Sequence, residues 1–187
     1  MRIIGGVLGG RHIRAPRGDA TRPTADRVRE AVFNILASLR GPLDGLRVLD
    51  LFAGSGALGL EALSRGAASV VAVDHGAEAV RSITANARDL AVGERVRVLR
   101  ADARAALMRV AGPFDLVFVD PPYAADLASA VLAALPPLLT RAPGALVVVE
   151  HDLRAPPDPG PAALALVDRR RYGDTAVSFF SPSEDPT

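Results

Sequence analysis

The sequence predicts an α/β protein built on a doubly wound, mostly parallel sheet. From residue 46 onward, apolar strand-like segments alternate with helical segments, and the strand-like segments are apolar almost throughout, as at 70–73. Continuous apolar strands are expected where helices cover both faces of a parallel sheet, because neither side of such a strand meets water. The length of 187 residues fits a single domain with one sizeable core.

The predicted elements follow one another in a regular order. Five strands are predicted at 47–52, 69–74, 95–101, 114–120 and 145–150, with helices between them at 56–65, 77–90, 103–110 and 126–140. Strand–helix–strand units of this kind build a parallel sheet. After a proline-rich loop at 155–161, the segments 164–171 and 175–180 flank a Tyr-Gly-Asp turn, which predicts an antiparallel hairpin at the C-terminal end.

The first 40 residues follow a different pattern. Segments 2–8 and 11–15 flank a Gly-Gly pair, which predicts a small N-terminal β-hairpin. Apolar residues then recur at helical spacing up to Leu39, with Thr24 as the expected N-cap. We therefore expect three parts, namely a basic hairpin and helix over 1–40, a main domain over 41–181 and a disordered tail over 182–187.

The charges are distributed unevenly along the chain. The first 40 residues contain eight arginines against three acidic residues, whereas the whole chain has a net charge of only +1. A basic segment on a mildly acidic body indicates contact with a polyanion, although a solvated arginine-rich surface would look the same.

Composition excludes several classes of protein. The absence of cysteine excludes a disulfide scaffold, a thiolate metal site and a cysteine nucleophile, and the three histidines are scattered, so no metal site is expected. The longest uncharged run, 127–140, has 14 residues and contains two prolines, whereas a membrane-spanning helix needs about 20. Because no signal-peptide pattern opens the chain either, we expect a cytoplasmic protein.

A glycine-rich loop follows the first predicted strand. Gly54, Gly56 and Gly59 fit the pattern G-x-G-x-x-G, in which glycine permits a tight turn and a close approach of ligand to backbone. Asp74 ends the next strand, where a carboxylate can accept the ribose hydroxyls of a nicotinamide cofactor or of adenosylmethionine. Asp50, just before the loop, favours adenosylmethionine, since its charge repels a diphosphate and attracts an amino group and a sulfonium. A structural role for Asp50, bonded to loop amides, is the alternative.

A second motif, Asp120-Pro121-Pro122-Tyr123, ends the fourth predicted strand. Ligands of open α/β sheets bind outside the carboxyl ends of the strands where strand order reverses, so both motifs should converge there. The Asp120 carboxylate and the Pro121 carbonyl could accept hydrogen bonds from one exocyclic NH2 group and direct its lone pair toward a methyl donor. Tyr123 offers a flat face for a base. These four are the predicted catalytic residues, and a proline-rich strand exit with an exposed tyrosine is the alternative.

Together these motifs resemble a known family. Asp120-Pro121-Pro122-Tyr123 is similar to the signature of methyltransferases that act on amino groups of nucleobases or glutamine. Segments 2–6, 22–24, 27–36, 50–67 and 172–175 resemble more narrowly the bacterial small-subunit ribosomal RNA guanine-N2 methyltransferases, over nearly the whole chain. The resemblance implies a Rossmann-like methyltransferase sheet and S-adenosyl-L-methionine as cofactor. The implied cofactor-binding residues are Asp50, Phe52, Ala53, Gly54, Gly56, Asp74, Asp102 and Ala103, although Asp102 also fits as the N-cap of the helix that follows it.

The resemblance also implies a substrate, the exocyclic N2 amine of a guanine in 16S ribosomal RNA, either free or in an assembling small subunit. The predicted RNA-binding residues are Arg2, Arg11, Arg14, Arg17, Arg22 and Arg27, each of which also fits a structural or solvent-facing role. We expect a monomer without metal or membrane contact. Three alternatives stay open: a DNA amino-methyltransferase, a protein glutamine methyltransferase and a non-catalytic RNA-binding module on the same fold.

Overall fold

Seven strands form one sheet in the computed structural model, which describes residues 1–16, 23–122, 125–140, 144–160 and 164–183. The strands are β1 (Arg47–Leu51), β2 (Ser69–Asp74), β3 (Val96–Arg100), β4 (Leu116–Val119), β5 (Leu146–Asp152), β6 (Leu164–Tyr172) and β7 (Thr175–Pro182). The helices are α1 (Pro23–Arg40), α2 (Ala57–Ser64), α3 (Ala77–Asp89), α4 (Ala103–Leu107) and α5 (Ala125–Ala134). Short 3-10 turns lie at Gly6–Leu8, Gly93–Arg95 and Pro136–Leu138.

The order of the strands confirms the predicted fold class. The sheet runs β3-β2-β1-β4-β5-β7-β6. Neighbours from β3 through β5 pair in parallel, and β7 pairs antiparallel with both β5 and β6. The chain builds outward from β1 to β3 and then returns to β4, so strand order reverses between β1 and β4. This is a doubly wound α/β sheet that ends in an antiparallel C-terminal hairpin.

Both faces of the sheet are buried, because successive strand residues point to opposite sides and helices cover each side. On one side Phe33 of α1 packs against Phe118 of β4, with 5.7 Å between the ring centroids. On the other side Val117 and Val147 lie under α4 and α5. We call these sides the α1 face, to which Phe118 points, and the α5 face, to which Val117 points.

The N-terminal strands predicted at 2–8 and 11–15 do not form. A single antiparallel bridge joins Arg2 and His12, and the 3-10 turn at Gly6–Leu8 interrupts the first segment. The chain does reverse direction as predicted, and backbone hydrogen bonds from Ile3 to Arg11, from Gly10 to Ile3 and from Ile13 to Met1 join its two arms, but this pairing is too short for regular strands.

A buried carboxylate on α2 holds the first of these segments. Glu61 accepts the amides of Ile4 and Gly5 at 2.7 and 2.8 Å, so the backbone just after Ile3 is bonded to α2. Ile3 and Ile13 are buried in the same core as α1 and the sheet, so the segment packs tightly onto the rest of the chain. The division into 1–40 and 41–181 stays a prediction.

Several element ends differ from the predicted ones. α5 ends at Ala134 and a 3-10 turn follows, because Pro136 and Pro137 have no N–H with which to continue a helix. α1 begins at Pro23, so Thr24 lies within its first turn rather than before it. In the predicted tail, Pro182 ends β7, and 184–187 lie outside the described residues. Within the described part of the chain, no helix has the length and apolar character to cross a bilayer.

Candidate active site

A cavity of about 360 Å³ opens at the carboxyl ends of the parallel strands, where strand order reverses between β1 and β4. A cavity of this size accepts a small-molecule ligand. Of the residues predicted from the sequence, its wall contains Asp50, Phe52, Ala53, Gly54 and Asp120. The glycine-rich loop and the end of β4 therefore meet in one cavity.

Asp50 is almost completely buried in the cavity wall. Its Oδ2 accepts the amide of Gly59 at 2.9 Å, whereas no described residue donates to Oδ1. A Cβ on Gly59 would lie 2.8 Å from Val70 Cγ1 and 3.0 Å from Asp50 Oδ2, so only glycine fits there. Burial raises the pKa of Asp50 to about 7; the Gly59 hydrogen bond opposes this rise and the nearby Asp74 charge adds to it. Asp50 thus accepts an amide from the first turn of α2 and has one oxygen that no described residue occupies.

Asp74 holds the glycine-rich loop from the neighbouring strand. Its Oδ2 accepts the amide of Gly54 at 2.9 Å, and its Oδ1 accepts the amide of Gly76 at 2.8 Å. In this loop Phe52 has a φ of 62°, a left-handed conformation that costs energy for a bulky residue and is typical of functional sites. Asp74 lies beside the cavity and not in its wall, so its role toward a ribose stays a prediction.

Three further predicted cofactor-binding residues also lie outside the cavity wall. Gly56 precedes α2 with a φ of 80°. Asp102 caps α4, since its Oδ1 accepts the amide of Arg104 at 3.0 Å, and Ala103 is buried in the first turn of that helix. The structural alternative for Asp102 is therefore realised, and contacts of these residues with a cofactor stay a prediction.

Asp120 follows the last residue of β4 and faces the cavity. The side chain of Asp120 is exposed to solvent at the mouth of the cavity, although many protein atoms lie around its carboxylate. Burial raises the pKa of Asp120, and the charges of Glu150 and Asp50 raise it further. Pro121 is half-buried, Pro122 is exposed, and Tyr123 lies outside the described residues.

Glu150 is a cavity residue that the sequence analysis missed. It lies near the carboxyl end of β5, half-buried, and burial raises its pKa as well. The sequence does contain a signal for this residue, because Glu150 ends the predicted strand 145–150 just as Asp120 ends the predicted strand 114–120. Three carboxylates from β1, the end of β4 and β5 thus share one cavity.

Arg29 of α1 is a second missed residue in the cavity wall. It is only 5% exposed, and its guanidinium donates to the Arg2 carbonyl and, at 3.0 Å, to Asp26. Its Nε lies 3.8 Å from Glu61 Oε2, too far for a hydrogen bond. Arg29 therefore ties the N-terminal segment to α1 beside the cavity.

The predicted RNA-binding arginines divide into two groups. Arg11 donates to the Asp89 carbonyl at 2.7 Å and Arg14 to the Asp89 carboxylate at 2.8 Å, so both anchor the N-terminal segment to α3. The side chains of Arg2 and Arg27 are exposed and have no hydrogen-bond or ion-pair partner among the described residues. Two others, Arg17 and Arg22, lie outside the described residues.

Comparisons with known proteins agree with this geometry. The family model described as "Conserved hypothetical protein 95" matches residues 1–181. Ribosomal RNA small subunit methyltransferase D of Escherichia coli (strain K12) is 36% identical over 180 residues, which cover 96% of this chain and 89% of that protein. YlbH of Bacillus subtilis (strain 168) is 36% identical over 184 residues, which cover 96% and 98%. The solved structure of yhhF from Escherichia coli has a TM-score of 0.83 at 35% identity and covers 98% of both chains.

These matches extend over nearly the full length of each protein, including the N-terminal segment and the C-terminal hairpin that lie outside a generic nucleotide-binding sheet. The chain therefore belongs to the conserved hypothetical protein 95 family, with the small-subunit ribosomal RNA methyltransferases, as the resemblance of its motifs implied.

Proposed function

We propose that this chain transfers a methyl group from S-adenosyl-L-methionine to the exocyclic N2 amine of a guanine in small-subunit ribosomal RNA. The observation that carries the proposal is the single cavity in which the Asp50 loop meets Asp120. The name of the Escherichia coli relative supports the ribosomal RNA substrate. Because the match covers 96% of this chain, the support concerns nearly the whole chain and not one segment of it.

The cavity fits a cationic cofactor. Asp50, Asp120 and Glu150 all have raised pKa values, because burial disfavours their charged forms and their charges repel one another. A buried cluster of carboxylates is stabilised when a cation enters it. When bound, S-adenosylmethionine supplies a methyl group on a positively charged sulfur, together with a cationic amino group.

The two ends of the cavity have different roles, one toward the cofactor and one toward the amine. Asp50 Oδ1 and the backbone of Gly54 hold the cofactor, and Phe52 shapes the turn between them. Asp120 and the Pro121 carbonyl would accept hydrogen bonds from the two N–H groups of the amine, which orients its lone pair toward the methyl group. The Asp120 charge would also offset the positive charge that develops on the nitrogen as the N–C bond forms and the S–C bond breaks, with S-adenosylhomocysteine as the leaving group. One amine proton then leaves to solvent, and orientation supplies most of the acceleration.

The exposed arginines suit a polyanionic substrate. Arg2 and Arg27 are free of partners among the described residues and belong to the segment and helix beside the cavity. Phosphate contacts at these positions would supply affinity and orientation without reading the sequence. The target base must leave its stack to enter the cavity, which favours an RNA loop or an unfolded site.

The test is methyl transfer from labelled S-adenosylmethionine to small ribosomal subunits that lack their own methylation. Naked ribosomal RNA, duplex DNA and a glutamine-containing protein substrate are assayed in parallel, and the labelled nucleoside is identified by mass spectrometry. We expect label in N2-methylguanosine. Label in DNA or in glutamine would overturn the substrate, and cofactor binding without transfer to any of the four would favour the non-catalytic RNA-binding module.

A further inference from the structure

Glu150 lies next to Asp120 on the sheet. The parallel register pairs Val119 of β4 with Val149 of β5, so Asp120 and Glu150 occupy the next position on two neighbouring strands. Both point to the α1 face, as Phe118 does two residues earlier. Neighbouring strands are about 4.8 Å apart, which is close enough for two carboxylates to contact adjacent groups of one small ligand.

The Glu150 carboxylate lacks a hydrogen-bond donor among the residues that the structure describes. Arg29, a cation in the same cavity wall, is already bonded to Asp26 and to the Arg2 carbonyl. The residues that flank Glu150 in the wall, Val148 and Val177, are apolar. A half-buried acceptor in such surroundings is stabilised by donors that a ligand brings.

The Watson–Crick edge of guanine brings the required donors. It presents N1–H beside the N2 amine, and a carboxylate is an acceptor without protons to donate. Adenine presents a bare N1 acceptor beside its amine, which a carboxylate repels. Asp120 and Pro121 contact only an amine and therefore do not distinguish the two bases.

We propose that Glu150 selects guanine by accepting its N1–H while Asp120 holds the neighbouring N2 amine. This inference rests on the proposed function and assigns its base specificity to one residue. It is a specificity role, because Glu150 contacts the substrate edge beside the reacting nitrogen and takes no part in the transfer itself.

The substitution Glu150→Gln gives the sharpest test. A glutamine amide at this position can donate a hydrogen bond to a bare N1, which suits 2-aminopurine, a base that keeps the 2-amino group but has no N1–H. Small-subunit RNA is assembled with guanine or 2-aminopurine at the nucleotide that the wild-type chain methylates, and kcat/KM is measured for both substrates.

We expect the wild-type chain to prefer guanine by about 10- to 100-fold, the range usual for the loss of one hydrogen bond to a charged group. Glu150→Gln should lower that preference at least about tenfold, and Glu150→Ala should bring it close to one. Asp120→Asn should slow both substrates while leaving the preference unchanged. Glu94→Gln, which removes a charge from an exposed turn outside the cavity, should match the wild type in both respects.

The outcomes separate this inference from the function on which it rests. If the wild-type chain forms no N2-methylguanosine, the proposed function fails whatever Glu150 does. If it forms N2-methylguanosine and both Glu150 variants keep the wild-type preference, Glu150 does not select the base. Cofactor binding and thermal unfolding of each variant show that the altered preference does not arise from a misfolded cavity.

Discussion

The two faces of the sheet carry different kinds of residue at the carboxyl ends of the parallel strands. On the α1 face the strand ends carry carboxylates, namely Asp50, Asp74, Asp120 and Glu150. On the α5 face their neighbours in the chain are apolar and buried, namely Leu51, Val73, Val119 and Val149. Buried carboxylates destabilise a fold unless donors or cations compensate them. A shift of one residue along a strand thus separates the face that we propose to bind the ligand from a face whose residues only pack into the core.

The largest expected effect contrasts Asp120 with Val117 of β4, which points to the α5 face and lies outside the cavity wall. Asp120→Ala removes an acceptor for the amine and should lower kcat by about 10²–10³-fold, the usual cost of losing one preorganised group at a reacting centre. It also relieves the repulsion with Glu150 and Asp50, so the melting temperature should not fall.

Val117→Ala is the matched control, because it truncates a fully buried side chain on the α5 face that lies outside the cavity wall. It should lower the free energy of unfolding by about 2 kcal/mol and leave kcat near the wild-type value at temperatures where the chain is folded. Chemical denaturation and methyl-transfer kinetics measure both quantities. Equal losses of activity in the two variants would contradict the separation of the faces.

Gly59 tests the contact that holds Asp50. Gly59→Ala places a methyl group 2.8 Å from Val70 and 3.0 Å from Asp50, so the start of α2 must shift. We expect a loss of about 1–3 kcal/mol in stability from overpacking. Cofactor affinity should fall about tenfold or more, because Asp50 is displaced. Gly93→Ala is the control, since a Cβ there meets nothing within 4 Å, and unchanged calorimetric affinity in Gly59→Ala would contradict a cofactor role for Asp50.

Cofactor affinity should depend on pH through Asp50. Burial raises the pKa of Asp50 from 3.8 to about 7. The free energy of unfolding therefore falls as pH rises between these two values, because the unfolded chain ionises Asp50 more readily than the folded one. A cation in the cavity favours the ionised form, so affinity should fall by up to about tenfold per pH unit below about pH 7. Titration calorimetry in buffers of different ionisation enthalpy should detect proton release at pH 7. Asp50→Asn should bind weakly at every pH, and a wild-type affinity that does not change with pH would contradict this linkage.

The smallest expected effects concern the exposed arginines. Arg2→Gln and Arg27→Gln should each lower RNA affinity a few-fold and reduce the slope of log K against log salt by about 0.7–0.9. Arg109→Gln, an exposed position that follows α4 on the other side of the sheet, is the control and should change neither quantity. Filter binding over a range of salt concentrations measures the slopes, and equal effects at all three positions would show that RNA does not approach the α1 face.

The sequence was most informative where local pattern decides structure. The β2 prediction at 69–74 matches the observed strand, because its apolar run is bounded by a turn on each side. Asp50 and Asp120 lie in one cavity because both follow the carboxyl ends of parallel strands at the point where strand order reverses. This placement can be predicted without knowledge of side-chain packing.

The interruption of the predicted N-terminal strands and the place of Arg29 in the cavity wall were missed because long-range contacts determine them. Glu61 captures the amides of Ile4 and Gly5 from a distance of more than 50 residues in the chain, which no local pattern reveals. Arg29 has the spacing of an ordinary helix residue, and only the packing of α1 brings it to the cavity. Glu150 could have been predicted, because the rule that ligands bind at the carboxyl ends of parallel strands holds for β5 as it does for β1 and β4.

A crystal structure of the chain with a non-reactive amine analogue of S-adenosylmethionine tests most directly whether the α1 face is the ligand-binding face. We expect the analogue in the cavity between Asp50 and Asp120, with a cationic nitrogen at about 3 Å from Asp50 Oδ1. Density for the analogue on the α5 face, or in the cavity with its cationic groups turned away from all three carboxylates, would contradict the proposed site.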